Sequence, residues 1–534
     1  MRPQAANAAT IKDSRPGSRR RKVATLTVGE RAQAMERLKL LRQLSFGAQV
    51  AEDEVNELAR YFVHTDQWNR IFKGDVDIVR GEKGAGKSAI YLLLNAMSND
   101  LFDRGVVMVS GEKPRGTTVF KDLMSDPPTT EAEFIVLWKL YILTIISHEI
   151  RSLGMASPGL QKVYGALEEV KLLERELNLS GLLRQVQTMA RRLLNPKLEV
   201  GAELDQQTGG ISGIIGRISL AEPATELRSK GISSLDGWLE VVNRELKGQG
   251  YQVWVLLDRL DVAFADNNDL ESNALRALMK VYGDFRDLDY IHLKIFIRED
   301  IWNRILGSGF REASHITRYE VMNWNYATLL NLLMRRMLNN DVLVAEYGID
   351  REAVLADNDE QEKLLKRVFP LKVEQGNNPE TFKWMVNRCA DAKDRTTPRE
   401  LIHLLNCVRE EEIKRLELGG KPPEADQLFD RGVFKPSLAR VSKARVETWL
   451  YSEYANQKAF VEKLIGQKAE QTPESLAELW GMTRSEAITK AGELVNLGFF
   501  QQRGEQSSPT FWVPFLYREA LDLVQGRETG AGRT

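Results

Sequence analysis

Cysteine is almost absent from this chain of 534 residues, which contains only Cys389 and Cys407. Thiols this far apart in sequence exclude a disulfide framework and a cysteine zinc site, and they fit a reducing compartment. Long hydrophobic runs are also lacking, because the longest, residues 134–146, is too short to span a bilayer and contains Lys139. We therefore expect a cytoplasmic protein with no membrane partner, and a buried helix over residues 134–146.

An excess of charge of one sign is missing as well. The chain has 74 Lys and Arg residues against 75 Asp and Glu residues, a net charge of −1. Nucleic-acid binding must therefore use a local basic patch and not an overall field. Residues 1–25 are locally basic without an apolar signal region, which predicts a solvated, disordered tail. A nucleic-acid arm and an organelle transit peptide are the alternatives for this tail.

A glycine-rich motif at residues 81–88 lies between a β-rich stretch, Asp75–Arg80, and a helical pattern, Ala89–Asn95. A bound nucleoside triphosphate requires this order of strand, glycine-rich turn, Lys-Ser and helix. Backbone N–H groups and the helix N-terminus attract phosphate, Lys87 can reach the β- and γ-phosphates, and the Ser88 hydroxyl can bind Mg²⁺. The alternative is a glycine-rich turn with a solvated lysine. The sequence predicts ATP and Mg²⁺ as cofactors, and the predicted nucleotide contacts are Gly81, Glu82, Lys83, Gly84, Ala85, Gly86, Lys87, Ser88 and Ala89.

A second, acidic part of the site is expected at the end of another strand. The apolar run Gln252–Leu257 predicts a central parallel strand, and Asp258 follows it directly. An acid at this strand end can complete the Mg²⁺ site with Ser88, so we predict a catalytic role for Asp258 on the magnesium side. Asp261 is the candidate general base. A pair of acids capping a turn is the alternative.

Arg298 is a candidate catalytic sensor of the γ-phosphate. It ends the predicted strand Ile291–Ile297, from which a polar side chain can reach the neighbouring phosphate loop. Its alternative role is a surface ion pair with Glu299 or Asp300.

Arg399 is a second candidate sensor, in the segment 397–400. Thr397 is the predicted N-cap, Pro398 the first helical residue, and Glu400 the reciprocal capping partner. Arg399 then lies in the first turn, where a cation opposes the helix dipole. This placement suggests contact with phosphate from a lid domain, and simple exposure to solvent is the alternative.

The C-terminal region predicts a winged helix-turn-helix. A helix at 474–480, a turn, a second helix at 484–497 and a two-stranded wing from 498–503 and 510–515 follow in order. The second helix of such a unit commonly enters the DNA major groove. This helix also carries two glutamates, so a winged helix used for protein contacts is the alternative. The candidate nucleic-acid contacts are Arg484, Lys490 and Arg503.

Strands separated by helical patterns predict an α/β fold, and the length suggests roughly three domains. We expect a P-loop NTPase core with a parallel sheet and a large helical insertion, followed by a helical lid and a winged helix-turn-helix domain. The predicted ranges are 1–25 for the tail, 26–323 for the core with its insertion at about 131–245, 324–425 for the lid and 426–534 for the C-terminal domain.

Taken together, the motifs resemble AAA+-related STAND ATPases. The matching features are the loop at 81–88, the pair Asp258 and Asp261, Arg298 after the next strand, and Thr-Pro-Arg at 397–399. The lead-in from Phe46-Gly through Ala51-Glu52 resembles bacterial P-loop ATPases found near restriction and phage-defence genes. The lid followed by a winged helix resembles origin-recognition ATPases.

The resemblance implies a sheet order, a sensor and a mode of action. The phosphate-loop strand should lie between the sensor strand and the short last strand, and Arg399 should be the lid arginine that senses nucleotide. Many relatives carry glutamate where this chain has Arg259, which implies either that Asp261 is the general base or that turnover is slow. Members of the group act as ATP-dependent switches that assemble or remodel partners.

Two functions therefore compete. In the first, a switch that binds and hydrolyses ATP controls the binding of double-stranded DNA through the winged helix, in a setting such as phage defence. In the second, ATP drives homo-oligomerisation of a signalling scaffold that recruits a protein effector without binding DNA. A nucleoside or small-molecule kinase is a more distant alternative, because such enzymes are usually compact.

Overall fold

A computed structural model of the chain describes residues 26–112, 127–128, 130–173, 179–194, 214–260, 268–307, 309–505 and 508–527. The predicted tail at 1–25 and the candidate base Asp261 lie outside these residues. Within the described ranges, no helix is both long and apolar enough to cross a membrane. Cys389 and Cys407 are buried free thiols.

The chain up to residue 321 alternates helices with short strands, and single 3₁₀ turns occur at Ala51–Asp53 and Arg311–His315. Its helices are α1 (Val28–Gln43), α2 (Leu58–Tyr61), α3 (Asp66–Lys73), α4 (Lys87–Ala96), α5 (Ser98–Phe102), α6 (Glu131–Ser152), α7 (Pro158–Glu169), α8 (Leu179–Leu194), α9 (Thr225–Ser229), α10 (Leu235–Gln249), α11 (Asn268–Phe285) and α12 (Glu299–Gly307). Its strands are β1 (Ile78–Gly81), β2 (Val106–Ser110), β3 (Ile214–Ile215), β4 (Ile218–Ser219), β5 (Ser233–Ser234), β6 (Gln252–Leu257), β7 (Ile291–Arg298) and β8 (Tyr319–Val321).

Five of these strands form a parallel sheet in the order β2-β6-β7-β1-β8. The α/β core with a parallel sheet is therefore confirmed. The predicted position of the phosphate-loop strand is also confirmed, because β1 pairs with β7 on one side and β8 on the other. The register aligns Gly81 with Arg298. The sheet thus brings the start of the glycine-rich loop beside the candidate sensor.

One local prediction ahead of the loop is wrong in its bounds: the strand predicted over 75–80 runs from Ile78 to Gly81. Just before it, the buried Asp77 carboxylate accepts hydrogen bonds from Lys294 at 2.9 Å and from Arg318 at 2.7 Å. Farther upstream, the chain forms one 3₁₀ turn at Ala51–Asp53 and the short α2.

The insertion between β2 and β6 is mainly helical, as predicted. Residues 134–146 lie within α6, and most of them are buried. The glycine-rich segment 206–216, whose sequence is typical of a turn or hairpin, is described only from residue 214, where β3 and β4 pair antiparallel. With β5 they form a small three-stranded sheet. Helix α6 packs the insertion against β2 and β6 of the main sheet. It also contacts α11, where the Trp138 indole donates to the Ala274 carbonyl at 2.9 Å.

The rest of the chain is helical up to a small C-terminal sheet, and its irregular turns are 3₁₀ at Arg431–Val433 and Glu519–Leu521 and π-helical at Val446–Tyr451. Its helices are α13 (Tyr326–Leu338), α14 (Asp341–Tyr347), α15 (Arg351–Ala356), α16 (Asn358–Val368), α17 (Thr381–Cys389), α18 (Pro398–Glu417), α19 (Phe434–Arg445), α20 (Ala455–Glu462), α21 (Pro473–Trp480), α22 (Arg484–Asn496) and α23 (Phe515–Arg518). Its strands are β9 (Lys468–Gln471), β10 (Gln501–Arg503), β11 (Thr510–Trp512) and β12 (Val524–Arg527).

The predicted C-terminal elements are present. Helices α21 and α22 are joined at Gly481, which has a left-handed φ of 70°. Strands β10 and β11 pair antiparallel and continue into a sheet of order β10-β11-β9-β12. The lid helices and this unit share one apolar core, which Leu40 and Leu41 of α1 also join. That this unit acts as a winged helix, and the domain boundaries themselves, stay predictions.

Candidate nucleotide-binding site

The glycine-rich loop connects β1 to α4 with two glycines in the left-handed region. Gly84 has φ 88° and Gly86 has φ 104°, conformations that side-chain-bearing residues rarely adopt. Gly86 is also the N-cap of α4 and offers no side-chain cap, so the first N–H groups of the helix face the loop. The Lys87 ammonium donates to the carbonyl oxygens of Gly81 at 2.8 Å and Glu82 at 3.0 Å. A buried cation and the N-terminus of a helix therefore meet in one anion-binding cradle.

Asp258 lies where the strand pattern predicted, immediately after β6. Its carboxylate is 4% exposed, and Oδ2 accepts a hydrogen bond of 2.9 Å from the Ser88 hydroxyl. A hydroxyl and a carboxylate oxygen at this spacing are ligands that suit Mg²⁺. The next residue, Arg259, has a left-handed φ of 58°. It lines a cavity that Ser88 and Asp258 also line.

The Arg298 side chain is held by two carboxylates and a tyrosine hydroxyl. Its guanidinium donates to Asp300 at 2.7 and 3.0 Å and to the Tyr454 hydroxyl at 3.2 Å, and it forms an ion pair with Glu453. The ion pair with Asp300 is the alternative that the sequence left open. Burial opposes ionisation of Asp300, but Arg298 outweighs it and lowers the pKa of this carboxyl to about 2. Arg298 itself is 8% exposed, at the edge of the cavity beside the loop.

Glu453 was not recognised from the sequence. It follows the π-helical turn before α20, yet its carboxylate contacts both the Lys83 ammonium of the loop and the Arg298 guanidinium. Burial opposes ionisation of Glu453, but Arg298 and Lys83 together hold its pKa below the ordinary value. One carboxylate from the C-terminal part of the chain thus bridges two cations of the nucleotide-binding site.

Arg399 lies in the first turn of α18, as predicted, with Thr397 as N-cap and Pro398 as first helical residue. The predicted capping box is wrong: Thr397 accepts no capping hydrogen bond, and its hydroxyl instead donates to the Glu400 carboxylate. The physical reason is that Glu400 also pairs with the buried Arg445 guanidinium at 2.7 Å, which draws its carboxylate away from the backbone.

The Arg399 side chain packs on the glycine-rich loop. A Cβ atom placed on Gly84 would lie 2.9 Å from the Arg399 Cβ and from the Thr397 hydroxyl. The Arg399 Nε is buried without a hydrogen-bond partner in the described structure, and the side chain lines the cavity. A side chain that packs on the loop and whose buried Nε–H has no acceptor among the described residues is suited to bind an anion there.

A cavity of about 240 Å³ extends from the loop toward the segment before β1. Its far wall includes Tyr61 and Phe62, so its surface away from the phosphate cradle is partly aromatic. The wall is fastened to the lid by Glu54, whose carboxylate receives two hydrogen bonds of 2.8 and 2.9 Å from Arg336 of α13. Both side chains of this pair are 5% exposed. Sequence reasoning missed the pair because its members are 282 residues apart.

The three candidate nucleic-acid contacts have different surroundings. Arg484 pairs with Glu474 of α21 at 2.6 Å, and Lys490 pairs with Glu493 at 2.6 Å. Arg503 forms no ion pair with a described carboxylate and lies over the Trp512 ring, 3.9 Å from its centroid.

No family model matches the chain. No curated protein matches it either. The ORC2 protein of Aeropyrum pernix, solved in ADPNP–ADP complexes, is 12% identical over 88% of this chain and 93% of its own, with a TM-score of 0.29. Cdc6p of Pyrobaculum aerophilum is 14% identical over 85% of this chain and 91% of its own, also with a TM-score of 0.29. Similarity at this level does not identify the function of this chain.

Proposed function

We propose that this chain is an ATP-binding, Mg²⁺-dependent P-loop ATPase that acts as a molecular switch. The observation that carries the proposal is the hydrogen bond between Ser88 and Asp258 at the head of the glycine-rich loop. It unites two parts of a nucleotide site that are 170 residues apart in sequence. The core at 26–323, the lid at 324–425 and the C-terminal domain at 426–534 are the proposed units of the switch.

Each part of the site has a distinct task in this proposal. Residues 81–89 surround the phosphates, with Lys87 exchanging its two carbonyl partners for phosphate oxygens. Mg²⁺ held by Ser88 and Asp258 would neutralise phosphate charge. Arg399, whose Nε lacks an acceptor among the described residues, reaches the phosphates from the lid. Asp261 is the proposed general base.

Glu453 supplies the link between the nucleotide and the rest of the molecule. A phosphate group and the Glu453 carboxylate are both anions suited to Lys83 and Arg298, so they compete for these cations. Bound ATP then releases the segment before α20 from Lys83 and Arg298, and the C-terminal unit that continues from this segment moves away from the phosphate loop while it keeps its core with the lid helices. A second ion pair joins Glu82 of the loop to Arg395 at 2.5 Å. Three residues before Arg395, the Ala392 N–H donates to the carbonyl of Gly498, which follows α22. This short segment therefore connects the loop to the C-terminal unit.

The released unit is proposed to bind double-stranded DNA, with the nucleotide state setting its affinity. The link to phage defence stays a prediction from the resemblance alone. The second candidate, an oligomerising scaffold that recruits a protein effector, is favoured by the ion pairs that already neutralise Arg484 and Lys490. Mass measurement with and without ATP tests it, and a monomer in both states would exclude it.

Binding of a fluorescent ATP analogue, with and without Mg²⁺, tests the central proposal. Lys87→Ala removes two or more charged hydrogen bonds to phosphate, so we expect affinity to fall by about tenfold to a hundredfold. Asp258→Ala should abolish the Mg²⁺-dependent part of binding and of turnover while leaving binding in EDTA. Lys363→Ala, on an exposed lid lysine that pairs with Glu360, is the matched control. Wild-type affinity in the Lys87 variant would refute the assignment.

A further inference from the structure

Three arginines and two aromatic rings alternate in one stack between the lid and the C-terminal sheet. The Arg388 guanidinium of α17 lies 3.4 Å from the centroid of the Phe515 ring, and Arg518 lies 4.2 Å from the same centroid. Arg518 also lies 4.6 Å from the centroid of the Trp512 ring, and Arg503 covers that ring at 3.9 Å. We name the stack Arg388, Phe515, Arg518, Trp512 and Arg503 the arginine ladder.

The outer part of the ladder has no anionic partner among the described residues. Arg503 donates to the Gln501 side-chain oxygen at 2.6 and 2.8 Å, and that acceptor is neutral. Arg518 donates to the Val513 carbonyl at 2.8 Å and to the Gln525 side-chain oxygen, which are neutral as well. Neither Arg503 nor Arg518 therefore forms an ion pair with a described carboxylate.

The inner end of the ladder adds little negative charge. Arg388 shares the carboxylate of Glu374 with Lys435, at 2.9 and 2.7 Å. Burial lowers the pKa of Arg518 to about 10, and the positive charges of Arg388 and Arg503 act in the same direction. Because these positive charges lie close together, their potentials add, and a nearby anion would be attracted by all three arginines.

The ladder differs from the face of α22. Arg484 and Lys490, the cations of that helix, are already paired with Glu474 and Glu493. An anion that approached α22 would have to displace a carboxylate, whereas one that approached Arg503 would not. Arg503 is exposed on the edge strand β10, while Arg518 is 6% exposed behind it.

We propose that double-stranded DNA is held through its backbone phosphates at the Arg503 end of the arginine ladder, and not along α22. The proposal rests on the DNA-binding role above and assigns its surface. Arg503 makes the contact, because it is exposed and its guanidinium is held flat by Trp512. Arg518 and Arg388 lie behind it and raise the local positive potential without touching the DNA.

The number of phosphates contacted can be counted from the salt dependence of binding. Fluorescence anisotropy with a labelled duplex of about 20 base pairs, in ATP and Mg²⁺ over roughly 50–200 mM salt, gives a slope of about −0.9 per phosphate contact. Arg503→Gln should make the slope shallower by about 0.9 and weaken binding about eightfold at 0.1 M salt. Arg484→Gln and Lys490→Gln should leave the slope unchanged. Melting temperatures check that each variant is folded.

The outcomes separate this inference from the function on which it rests. If the wild-type protein shows no salt-sensitive binding to the duplex, DNA binding fails and the ladder proposal fails with it. If the wild-type binds but Arg503→Gln keeps the full slope, or if the α22 variants lose it instead, the ladder is refuted and DNA binding stands. A loss confined to Arg503→Gln supports both. Arg518→Lys retains the positive charge. Since Arg518 is proposed to contribute its potential without touching the DNA, this variant should keep the wild-type slope.

Discussion

Glu453→Gln is the substitution that tests the switch most directly. The change preserves the shape of the side chain but removes the negative charge that contacts Lys83 and Arg298. If Glu453 occupies cations that ATP needs, the glutamine variant should bind ATP more tightly than the wild-type protein. It should also lose stability without nucleotide, because Arg298, 8% exposed, keeps only its other partners.

The size of the effect follows from the exposure of the three side chains. Counting side-chain atoms alone, Glu453 is 26% exposed, Lys83 is 30% exposed and Arg298 is 9% exposed. Exposed ion pairs contribute about 0.2–1 kcal/mol, and buried charged hydrogen bonds about 1.5–3 kcal/mol. The two contacts of Glu453 lie between these limits, so we take about 1.5 kcal/mol for their loss. That value corresponds to roughly tenfold tighter ATP binding.

Titration with a fluorescent ATP analogue measures the affinity, and urea unfolding with and without ATP measures the stability. Glu447→Gln is the matched control, because Glu447 lies in the π-helical turn that Glu453 follows, and its contact with Lys443 is 3.8 Å long and exposed. The reasoning is refuted if Glu453→Gln binds ATP as weakly as the wild-type protein or more weakly. It is equally refuted if Glu447→Gln gains the same affinity.

Three further substitutions probe the lid, the loop and the sensor. Arg336→Ala leaves Glu54 buried without its partner, so the free energy of unfolding in urea should fall by about 3–5 kcal/mol. Gly84→Ala combines a left-handed φ of 88° with a Cβ only 2.9 Å from Arg399, so ATP affinity should fall by about tenfold or more. The pKa of Asp300 is about 2 in the folded protein, below its value in the unfolded chain. The ionised carboxylate therefore contributes fully to the free energy of unfolding above about pH 4, and this contribution is lost as the pH falls toward 2. In urea unfolding over that range, Asp300→Asn should therefore lose stability less steeply than the wild-type protein.

Each of these variants has a control that separates its cause from general damage. Arg42→Ala breaks an exposed pair with Glu417 and should change stability by less than about 1 kcal/mol. Gly154→Ala shares a left-handed φ of 78° but would meet nothing within 4 Å, so ATP affinity should be unchanged. Asp103→Asn, at an exposed side chain, is the matched control for Asp300→Asn. Equal effects in control and test variants would contradict the structural reasons given.

Local patterns were sufficient for the phosphate loop and for the strand-end acid. The glycines at 81–88 require left-handed backbone at Gly84 and Gly86, and the run before Asp258 is apolar enough to be buried on both faces. The order of the strands came from a resemblance and not from the residues, since periodicity does not state which strands are neighbours. The capping role of Glu400 was wrong because Arg445, 45 residues away, competes for its carboxylate.

By itself, the sequence determined the cradle: glycines, Lys87 and Ser88 act within one turn of backbone, and Asp258 needs only an apolar strand before it. Only the tertiary structure decided which charges face the cradle from outside. Glu453 is 370 residues from Lys83 and 155 from Arg298, and an ion pair leaves no periodic trace in a sequence. The same holds for the arginine ladder, because Arg388 reaches the Phe515 ring only where α17 and α23 pack together in the folded chain. Charge pairing depends on distance in space, and that distance is set by the packed core.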